Sequence, residues 1–233
     1  MTTYQKKTTD SEPLEKAIGI DFGVKRQAVF SNGVAVEAVV PLTKRVRRLH
    51  RELSRRKLYG KNWMKTSTEL NREYEMITNR RRDMRRKVTS YIVSNYDCVA
   101  TQKDNVAGWQ RLWGRRVASS SIGGIMSGLR TKPRTPVVVG RFEPTTQGCC
   151  WCSSKNKMGL GARVYKCETC GLVIDRDLNA AINIWSQIPA ERRESTPVDT
   201  KAATWMLEYF NSIPNVSASL VVEAGSHPTF SRW

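Results

Sequence analysis

Four of the six cysteines are spaced as ligands for a single metal ion. Cys149 and Cys152 form one CxxC pair, Cys167 and Cys170 form a second, and fourteen residues separate the two pairs. Two residues between thiolates allow both sulfur atoms to face one ion, and four thiolates around a tetrahedral ion are typical of a structural zinc site. The sequence therefore predicts a zinc ribbon over residues 145–175, with an iron–sulfur centre as the minor alternative.

The two remaining cysteines have simpler predicted roles. Cys98 lies in an apolar run and is expected to pack in the core. Cys150 lies inside the first CxxC pair, and its side chain should point away from the ion if Cys149 and Cys152 bind it. Disulfide pairing of the four CxxC cysteines is the alternative to metal binding, and it conflicts with a basic protein that is expected to remain inside the cell.

Three acidic residues could hold a second kind of metal ion. Asp21 lies within the apolar run 17–23, where an unpaired carboxylate is costly and a cation is expected to meet it. Asp177 stands at the start of a predicted helix. The alternative to metal binding is that this acid simply stabilises the N-terminus of the helix. Asp104 follows Gln102 by two positions, so both face the same side if their strand persists. Three such carboxylates can bind two Mg²⁺ or Mn²⁺ ions for phosphodiester cleavage.

Short strands and helices are predicted to position these residues. Residues 17–40 contain three apolar runs with short connections, one of which is the turn Asn32-Gly33, and this pattern predicts an antiparallel meander. The further predicted elements are strands over 96–102 and 136–142 and helices over 107–130 and 177–185. Trp109 and Trp113 share one stripe of the helix 107–130, where core packing is favoured over base stacking.

The segment 42–95 differs in composition from the rest of the chain. It is nearly free of Gly and Pro, and it predicts two long helices broken near Tyr59-Gly60. Arginines surround the first helix and cluster on the second with few acids beside them, which favours phosphate contact over a merely solvated face. The predicted nucleic-acid-binding residues are Arg45, Arg48, Arg51, Arg55, Arg56, Arg81, Arg82 and Arg85.

The overall charge agrees with a polyanionic partner. The chain has 233 residues, with 39 Lys and Arg against 21 Asp and Glu, and a formal net charge of +18. Nucleic acid is the leading partner for such a charge. No apolar run reaches the roughly 18–20 residues of a membrane span, and residues 1–16 lack the apolar core of a signal peptide. We therefore expect an intracellular protein that makes no membrane contact; a prokaryotic or phage source and association with the nucleoid are implied by the family resemblance described next.

Several stretches of the sequence resemble a known nuclease family. Residues 18–23 (IGIDFG) resemble the first motif of RuvC-like nuclease domains, and residues 146–149, the two CxxC pairs and residues 175–184 (DRDLNAAINI) resemble the C-terminal half of the transposon-encoded TnpB family. Type V CRISPR effectors share this half. The resemblance implies an α/β, RNase H-like fold with a mixed sheet, a helical insertion and an embedded zinc ribbon. It also implies an RNA-guided DNA endonuclease that binds Mg²⁺ or Mn²⁺, with DNA and a guide RNA as partners.

The catalytic assignment follows from the same resemblance. Asp21 matches the first acid of the family's triad and Asp177 matches the last. The family usually has Glu where Gln102 stands, and some relatives carry their acid two residues later, which makes Asp104 the favoured third ligand. The alternative is a weak or inactive nucleic-acid-binding subunit. Only sixteen residues precede Ala17, whereas family members have a sizeable N-terminal lobe, so a homodimer or a longer partner chain is the expected source of that lobe.

These patterns predict the following organisation along the chain. A flexible N-terminus over 1–16 precedes a RuvC-like nuclease domain over 17–144 and 176–187, which carries the basic helical insertion over 42–95. The zinc ribbon over 145–175 is embedded before the last acid. Residues 188–233 are expected to be a loosely held, partly disordered tail with a short helix around 202–210.

Overall fold

A mixed β-sheet forms the centre of the molecule. The computed structural model describes residues 16–159, 161–193 and 200–221. Its strands are β1 (Ala17–Phe22), β2 (Ala28–Phe30), β3 (Val34–Ala38), β4 (Cys98–Gln102), β5 (Thr135–Val139), β6 (Val164–Lys166), β7 (Val173–Asp175) and β8 (Val216–Leu220). The main sheet has six strands in the order β5-β4-β1-β2-β3-β8, and β6 and β7 form a separate two-stranded sheet.

Six α-helices accompany these strands in the described part of the chain. They are α1 (Lys44–Ser54), α2 (Lys61–Asn95), α3 (Val106–Ser120), α4 (Ile122–Thr131), α5 (Arg176–Ser186) and α6 (Thr200–Ser212). None of them is long and apolar enough to cross a membrane.

The strand directions establish the fold class. β1, β2 and β3 form the predicted antiparallel meander, while β4 pairs in parallel with β1 and β5 pairs in parallel with β4. An antiparallel meander beside parallel strands, with helices on the sheet, is the arrangement of an RNase H-like domain. The predicted α/β fold with a mixed sheet, a long helical insertion and an embedded cysteine-rich unit is confirmed.

Alternation along β1 decides which side chains can reach the candidate site. Ile18, Ile20 and Phe22 are buried in the large core that also contains residues of α2, α4 and α6. Gly19 and Asp21 point to the opposite face, because side chains of a strand alternate. That face is covered by α5, which passes so close to β1 that only a residue without a side chain fits at position 19.

Replacement of Gly19 by alanine is expected to destabilise the protein strongly. A Cβ at this position would lie 2.5 Å from the Trp185 amide nitrogen, 2.7 Å from the Trp185 Cβ, and closer still to the Ala181 carbonyl oxygen. Because backbone atoms cannot yield locally, α5 must move away from β1 and take Asp177 with it. We expect a cost of about 3 kcal/mol and a melting temperature lower by roughly 6–12 °C, measured by circular dichroism.

Gly114 in α3 provides the matched control for this substitution. A Cβ built there meets no atom within 4 Å, so Gly114→Ala should leave the melting temperature unchanged or slightly raised. An equally stable Gly19→Ala protein would contradict the close packing of α5 on β1.

The basic insertion folds as two helices, as the sequence predicts. α1 ends at Ser54 and α2 begins at Lys61, on either side of the predicted break. Thr43 caps α1 by accepting a hydrogen bond from the Val46 amide at 3.2 Å. With 35 residues, α2 is about 52 Å long.

Three sequence-based expectations need correction. The predicted helix 107–130 is two helices, because Ser121 adopts a left-handed conformation with φ 54° between α3 and α4. The predicted strand 136–142 ends at Val139. The segment beyond residue 188 is not loosely held over 200–221, where α6 buries Met206 and Phe210 and β8 pairs with all five residues of β3.

Both ends of the chain are also predicted to be flexible. Their other parts, residues 1–15, 194–199 and 222–233, lie outside the described residues.

Candidate active site and cysteine cluster

One cavity collects all three predicted acids. Asp21, Asp104 and Asp177 line a cavity of about 680 Å³ at the end of β1. Asp21 comes from β1, Asp177 from the first turn of α5, and Asp104 from the connection between β4 and α3. Side chains from three separate elements therefore border one cavity.

Asp104 reaches the cavity by a different route from the one predicted. β4 does not persist to residue 104, because it ends at Gln102 and α3 begins at Val106. Asn105 caps α3 by accepting a hydrogen bond from the Gly108 amide at 3.1 Å. The position of Asp104 is therefore set by the strand end on one side and the helix cap on the other.

Desolvation and mutual repulsion perturb the acids. Burial raises the pKa of Asp104 to about 6, with attraction to Arg130 and Arg141 opposing the shift. The Asp104 Oδ2 atom is buried and has no hydrogen-bond partner among the described residues. Burial, followed by repulsion from Asp177 and Asp104, also raises the pKa of Asp21 well above its usual value, against the attraction of Arg176. Burial thus makes the Asp21 and Asp104 carboxyl groups harder to ionise than a free aspartate.

Asp175, rather than Asp177, caps the helix that carries the last acid. Its Oδ1 accepts hydrogen bonds from the Asp177 amide at 2.9 Å and the Leu178 amide at 3.2 Å, and its Oδ2 lies 2.8 Å from Arg26 Nη1. Asp175 is buried, and its oxygens are used by these contacts. The carboxylate of Asp177 is thereby left to face the cavity.

Three guanidinium groups surround Asp177. The shortest nitrogen–oxygen distances to its carboxylate are 3.2 Å from Arg176, 3.5 Å from Arg163 and 3.8 Å from Arg26. Arg26, Arg163 and Arg176 also line the cavity. The expected cationic partner of the acid cluster is therefore present, and it is centred on Asp177 more than on Asp21.

The side chain of Gln102 makes hydrogen bonds to the segment that follows β5. Its Nε2 donates to the carbonyl oxygens of Gly140 at 3.1 Å and Glu143 at 2.9 Å, and its Oε1 accepts from Thr145 Oγ1 at 2.9 Å. The side chain is buried, and it fastens the connection after β5 to the end of β4. An amide suits this place because it supplies a donor and an acceptor together.

Replacement of Gln102 by glutamate is therefore expected to lower stability without raising activity. A carboxylate would face carbonyl oxygens that now accept hydrogen bonds, and it would add negative charge beside Asp21 and Asp104. The expected cost is about 1–3 kcal/mol, measured as a lower urea midpoint. Thr145→Val, which removes only the bond to Oε1, should cost less. A Gln102→Glu protein that cleaves DNA faster at unchanged stability would refute this account.

The four predicted ligands form one compact cysteine cluster. The sulfur atoms of Cys149, Cys152, Cys167 and Cys170 all lie within 4.8 Å of one another, with 3.7 Å between Cys149 and Cys170 and 3.5 Å between Cys152 and Cys167. Four convergent thiol groups form a donor set that suits tetrahedral zinc.

The other two cysteines lie outside this cluster, as predicted. Cys150 is not part of it, and burial raises the pKa of the Cys150 thiol to about 12. Cys98 is fully buried in β4.

Two asparagines connect this cluster to the helix of Asp177, a link that the sequence analysis missed. Asn179 Nδ2 donates to the Gly148 carbonyl at 2.7 Å, and Asn179 Oδ1 accepts from the Cys150 amide at 2.9 Å. Asn183 Nδ2 donates to the carbonyl oxygens of Gly148 at 2.8 Å and Thr145 at 2.7 Å. Both asparagines belong to α5, so the first cysteine knuckle and the acid site share one rigid element. Their spacing of four residues, which places them on one helix face, was the available signal.

Comparisons with known proteins agree with this architecture. The OrfB_IS605 family, described as a probable transposase, matches residues 2–112, and the Cas12f1-like TNB domain matches residues 130–184. The TnpB-like protein L79 of Acanthamoeba polyphaga mimivirus is 29% identical over 138 residues, which are 54% of this chain and 26% of that protein. The chain is therefore similar to TnpB-family proteins in both of its parts, as its motifs predict.

Two bacterial relatives are named as candidate RNA-guided DNA endonucleases. InsQ of Escherichia coli K12 is 27% identical over 215 residues, which are 78% of this chain and 51% of InsQ. A Streptomyces pristinaespiralis protein is 28% identical over 178 residues, which are 72% of this chain and 44% of that protein. The chain thus spans about half the length of these relatives.

Solved structures with a similar arrangement come from CRISPR effectors. A Cas12f1–sgRNA–target DNA complex aligns with a TM-score of 0.41 and 18% identity, covering 73% of this chain and 49% of that one. The mini-RNA-guided endonuclease Cas_phi3 aligns with a TM-score of 0.37 and 19% identity, covering 57% and 23%.

The predicted phosphate-binding arginines of the chain divide into two groups. Arg45, Arg48 and Arg56 lie within 3.5 Å of Glu73 or Glu52, so these side chains already bind acids of the two basic helices. Of the five others, Arg51, Arg55 and Arg82 are exposed, and Arg81 and Arg85 are half-buried. The expectation that few acids accompany these arginines is therefore wrong for the first group.

A second arginine cluster was missed by the sequence analysis. Arg47, Arg81, Arg115 and Arg116 line a cavity of about 520 Å³ between α1, α2 and α3. Arg81 is fixed there by donating two hydrogen bonds to the Val40 carbonyl, at 3.0 and 3.2 Å. The four residues come from three elements, so no local pattern in the sequence reveals the cluster.

One of the two tryptophans of α3 differs from the predicted core packing. Trp109 and Trp113 both line the acid cavity. Trp109 is half-buried and packs against the core, but Trp113 is 47% exposed. The prediction of core packing is therefore wrong for Trp113.

Proposed function

We propose that this protein hydrolyses DNA phosphodiesters at the cavity of Asp21, Asp104 and Asp177, with a divalent metal ion and under the guidance of an RNA. The observation that carries the proposal is the convergence of three carboxylates from three elements on a cavity rimmed by arginines. An RNase H-like sheet with acids at this position is a scaffold suited to cleavage at a phosphate.

The acid cluster fits a hard divalent cation. Asp104 offers a buried oxygen without a hydrogen-bond partner in the described part of the chain, and Asp21 lies among carboxylates that repel it. Carboxylate oxygens are the donors that Mg²⁺ and Mn²⁺ prefer, so Asp21, Asp104 and Asp177 would hold the ions. Bound in this way, two ions would activate a water molecule and stabilise the leaving oxygen.

The arginines and the cysteine cluster have supporting roles in this proposal. Arg26, Arg163 and Arg176 orient the Asp177 carboxylate and place positive charge where a phosphate enters. Zinc on the four cysteines would keep the first knuckle folded against α5. The exposed arginines of α1 and α2 would hold the phosphates of DNA or RNA.

The partners follow from the relatives. Two of them are named as RNA-guided DNA endonucleases, which supports a guide RNA and a DNA target for this chain. The protein should therefore be expressed together with RNA from its own locus, and copurifying RNA should be sequenced. Light scattering on the same preparation distinguishes a monomer from the expected homodimer or complex.

A cleavage assay tests the proposal directly. Single- and double-stranded DNA are incubated with the RNA-loaded protein and Mg²⁺ or Mn²⁺, in parallel with Asp21→Asn and with Asp83→Asn, whose residue is exposed on α2. Cleavage by wild type and Asp83→Asn, with a loss of at least about a thousandfold in Asp21→Asn, is the expected result. Equal activity of wild type and Asp21→Asn would overturn the proposal.

A second candidate is a nucleic-acid-binding subunit that does not cleave. Gln102 favours it, because this side chain stands at the family's usual Glu position and serves a structural purpose. Such a subunit would bind DNA or RNA with a steep salt dependence and give no product in the assay above.

A further inference from the structure

Trp113 is an exposed tryptophan that lines the cavity of the three acids. Tryptophan buries a large apolar surface when it packs, yet Trp113 retains 47% of its exposure. It lines the cavity that also contains Asp21 and Asp104, and Trp109 lines the same cavity one helical turn earlier. Two tryptophan rings therefore border a cavity that also contains the three acids and several cationic side chains.

The backbone of α3 fixes this placement. Asn105, the residue after Asp104, caps its first turn by accepting a hydrogen bond from the Gly108 amide. The Trp109 amide donates to the Asn105 carbonyl at 3.1 Å. At Trp113 the helix is kinked, with φ −127° and ψ 33°. Trp109 is anchored in the core, so the pair combines one fixed ring with one ring that is open to solvent.

The charge around the rings indicates what covers them. Lys25, Arg116 and Arg163 line the cavity beside the tryptophans. Arg116 also lines the neighbouring cavity of Arg47, Arg81 and Arg115, so positive charge continues from the acids to the second cluster. A partner that offers flat π-surfaces and regularly spaced negative charges fits both features, and an unpaired nucleic-acid strand has this chemistry.

We propose that Trp109 and Trp113 form a base-stacking platform that holds unpaired nucleotides at the mouth of the acid cavity, with Arg116 on the adjoining phosphate. The inference rests on the proposed function, since it assigns the platform to the strand that enters the cleavage site. A duplex cannot bind to this platform in the same way, because paired bases stack on one another and present only their edges.

Strand binding without added divalent metal tests the platform independently of cleavage. Fluorescence anisotropy is measured with labelled dT15, rU15 and a matched duplex. Trp113→Ala should weaken single-strand binding by roughly 5- to 150-fold, the equivalent of about 1–3 kcal/mol for a stacked base, while duplex affinity changes less than about twofold. Trp113→Phe should retain most of the affinity, because phenylalanine keeps a π-face.

Two controls separate stacking from a general loss of structure. Trp205→Ala removes an exposed tryptophan of α6, 67% exposed, and should leave binding unchanged. An oligonucleotide of abasic sites should bind wild type and Trp113→Ala equally, since it has phosphates but no bases. Arg116→Gln should instead weaken both kinds of strand and reduce the salt slope of log Kd by about one.

Each outcome decides the inference. A Trp113-dependent loss with dT15 supports a platform for the DNA strand that enters the cleavage site, whereas a loss with rU15 and none with dT15 would overturn that assignment. Unchanged single-strand binding, or equal losses for single strand, duplex and abasic strand, would overturn it. Absent cleavage alongside intact Trp113-dependent binding would reject the proposed function and leave the platform standing.

Discussion

Replacement of Asp104 by asparagine is expected to abolish metal-dependent cleavage and to raise the melting temperature of the metal-free protein at pH 7.5. Asp104 carries a buried oxygen with no hydrogen-bond partner in the described residues, and burial raises its pKa to about 6. At pH 7.5 the folded protein must therefore hold this carboxylate charged in an unfavourable place. A neutral amide removes that cost together with the proposed metal ligand.

The sign of the pH effect follows from proton linkage. The usual pKa of an aspartate is 3.8, so between about pH 4 and pH 6 the folded protein binds more protons at Asp104 than the unfolded chain does. Stability from this group consequently falls as the pH rises through that window, and the full cost is present above pH 6. Asp104→Asn should be clearly more stable than wild type at pH 7.5 and nearly equal to it at pH 4.5.

Differential scanning fluorimetry at the two pH values, in buffer free of Mg²⁺, measures this difference. Asp83→Asn is the control, because Asp83 is exposed on α2 and its carboxylate lies 2.8 Å from Lys87. A stabilisation of Asp104→Asn that is the same at both pH values, or full cleavage activity in this variant, would contradict the assignment of Asp104.

Loss of one cysteine ligand is the second change with a large expected effect. Cys152→Ser should abolish stoichiometric zinc binding, unfold residues 145–175 and remove cleavage, although the acids themselves are untouched. Structural zinc supplies much of the folding free energy of small ribbons, so we expect the melting temperature to fall by on the order of 10 °C. Zinc content is measured by atomic emission and unfolding by near-ultraviolet circular dichroism.

The adjacent cysteine supplies the matched control. Cys150 lies outside the four-sulfur cluster, so Cys150→Ser should keep one zinc per chain and wild-type activity. The reason for lost cleavage in Cys152→Ser is the connection through Asn179 and Asn183, which join the first knuckle to the helix of Asp177. Full cleavage by a zinc-free Cys152→Ser protein would show that the acid site does not depend on the cluster.

Local patterns were sufficient for the features that depend on local physics. Short apolar runs with a tight turn predict the antiparallel meander, helical spacing of Val46 and Leu49 predicts α1, and paired CxxC motifs predict the cysteine cluster. The resemblance to the TnpB family then placed Asp21 and Asp177 at one site, because strand order cannot be read from spacing alone.

The features that the sequence did not reveal depend on contacts between distant segments. Gln102 binds residues 140–145, and the arginine cavity draws on three helices. The kink at Trp113 and the left-handed Ser121 interrupt a pattern that is otherwise helical throughout 107–130. β8 has only five residues, and its pairing with β3 joins positions about 180 residues apart, for which the local composition gives no signal.

That last strand sets a lower limit on how far the molecule can be shortened. Without residues 200–221, β3 would become an open edge with unpaired amide and carbonyl groups, and the pocket that receives Phe210 would be exposed to water. Open, apolar sheet edges promote intermolecular pairing. A shortened derivative would therefore have to retain α6 and β8, because an exposed β3 edge would promote its aggregation.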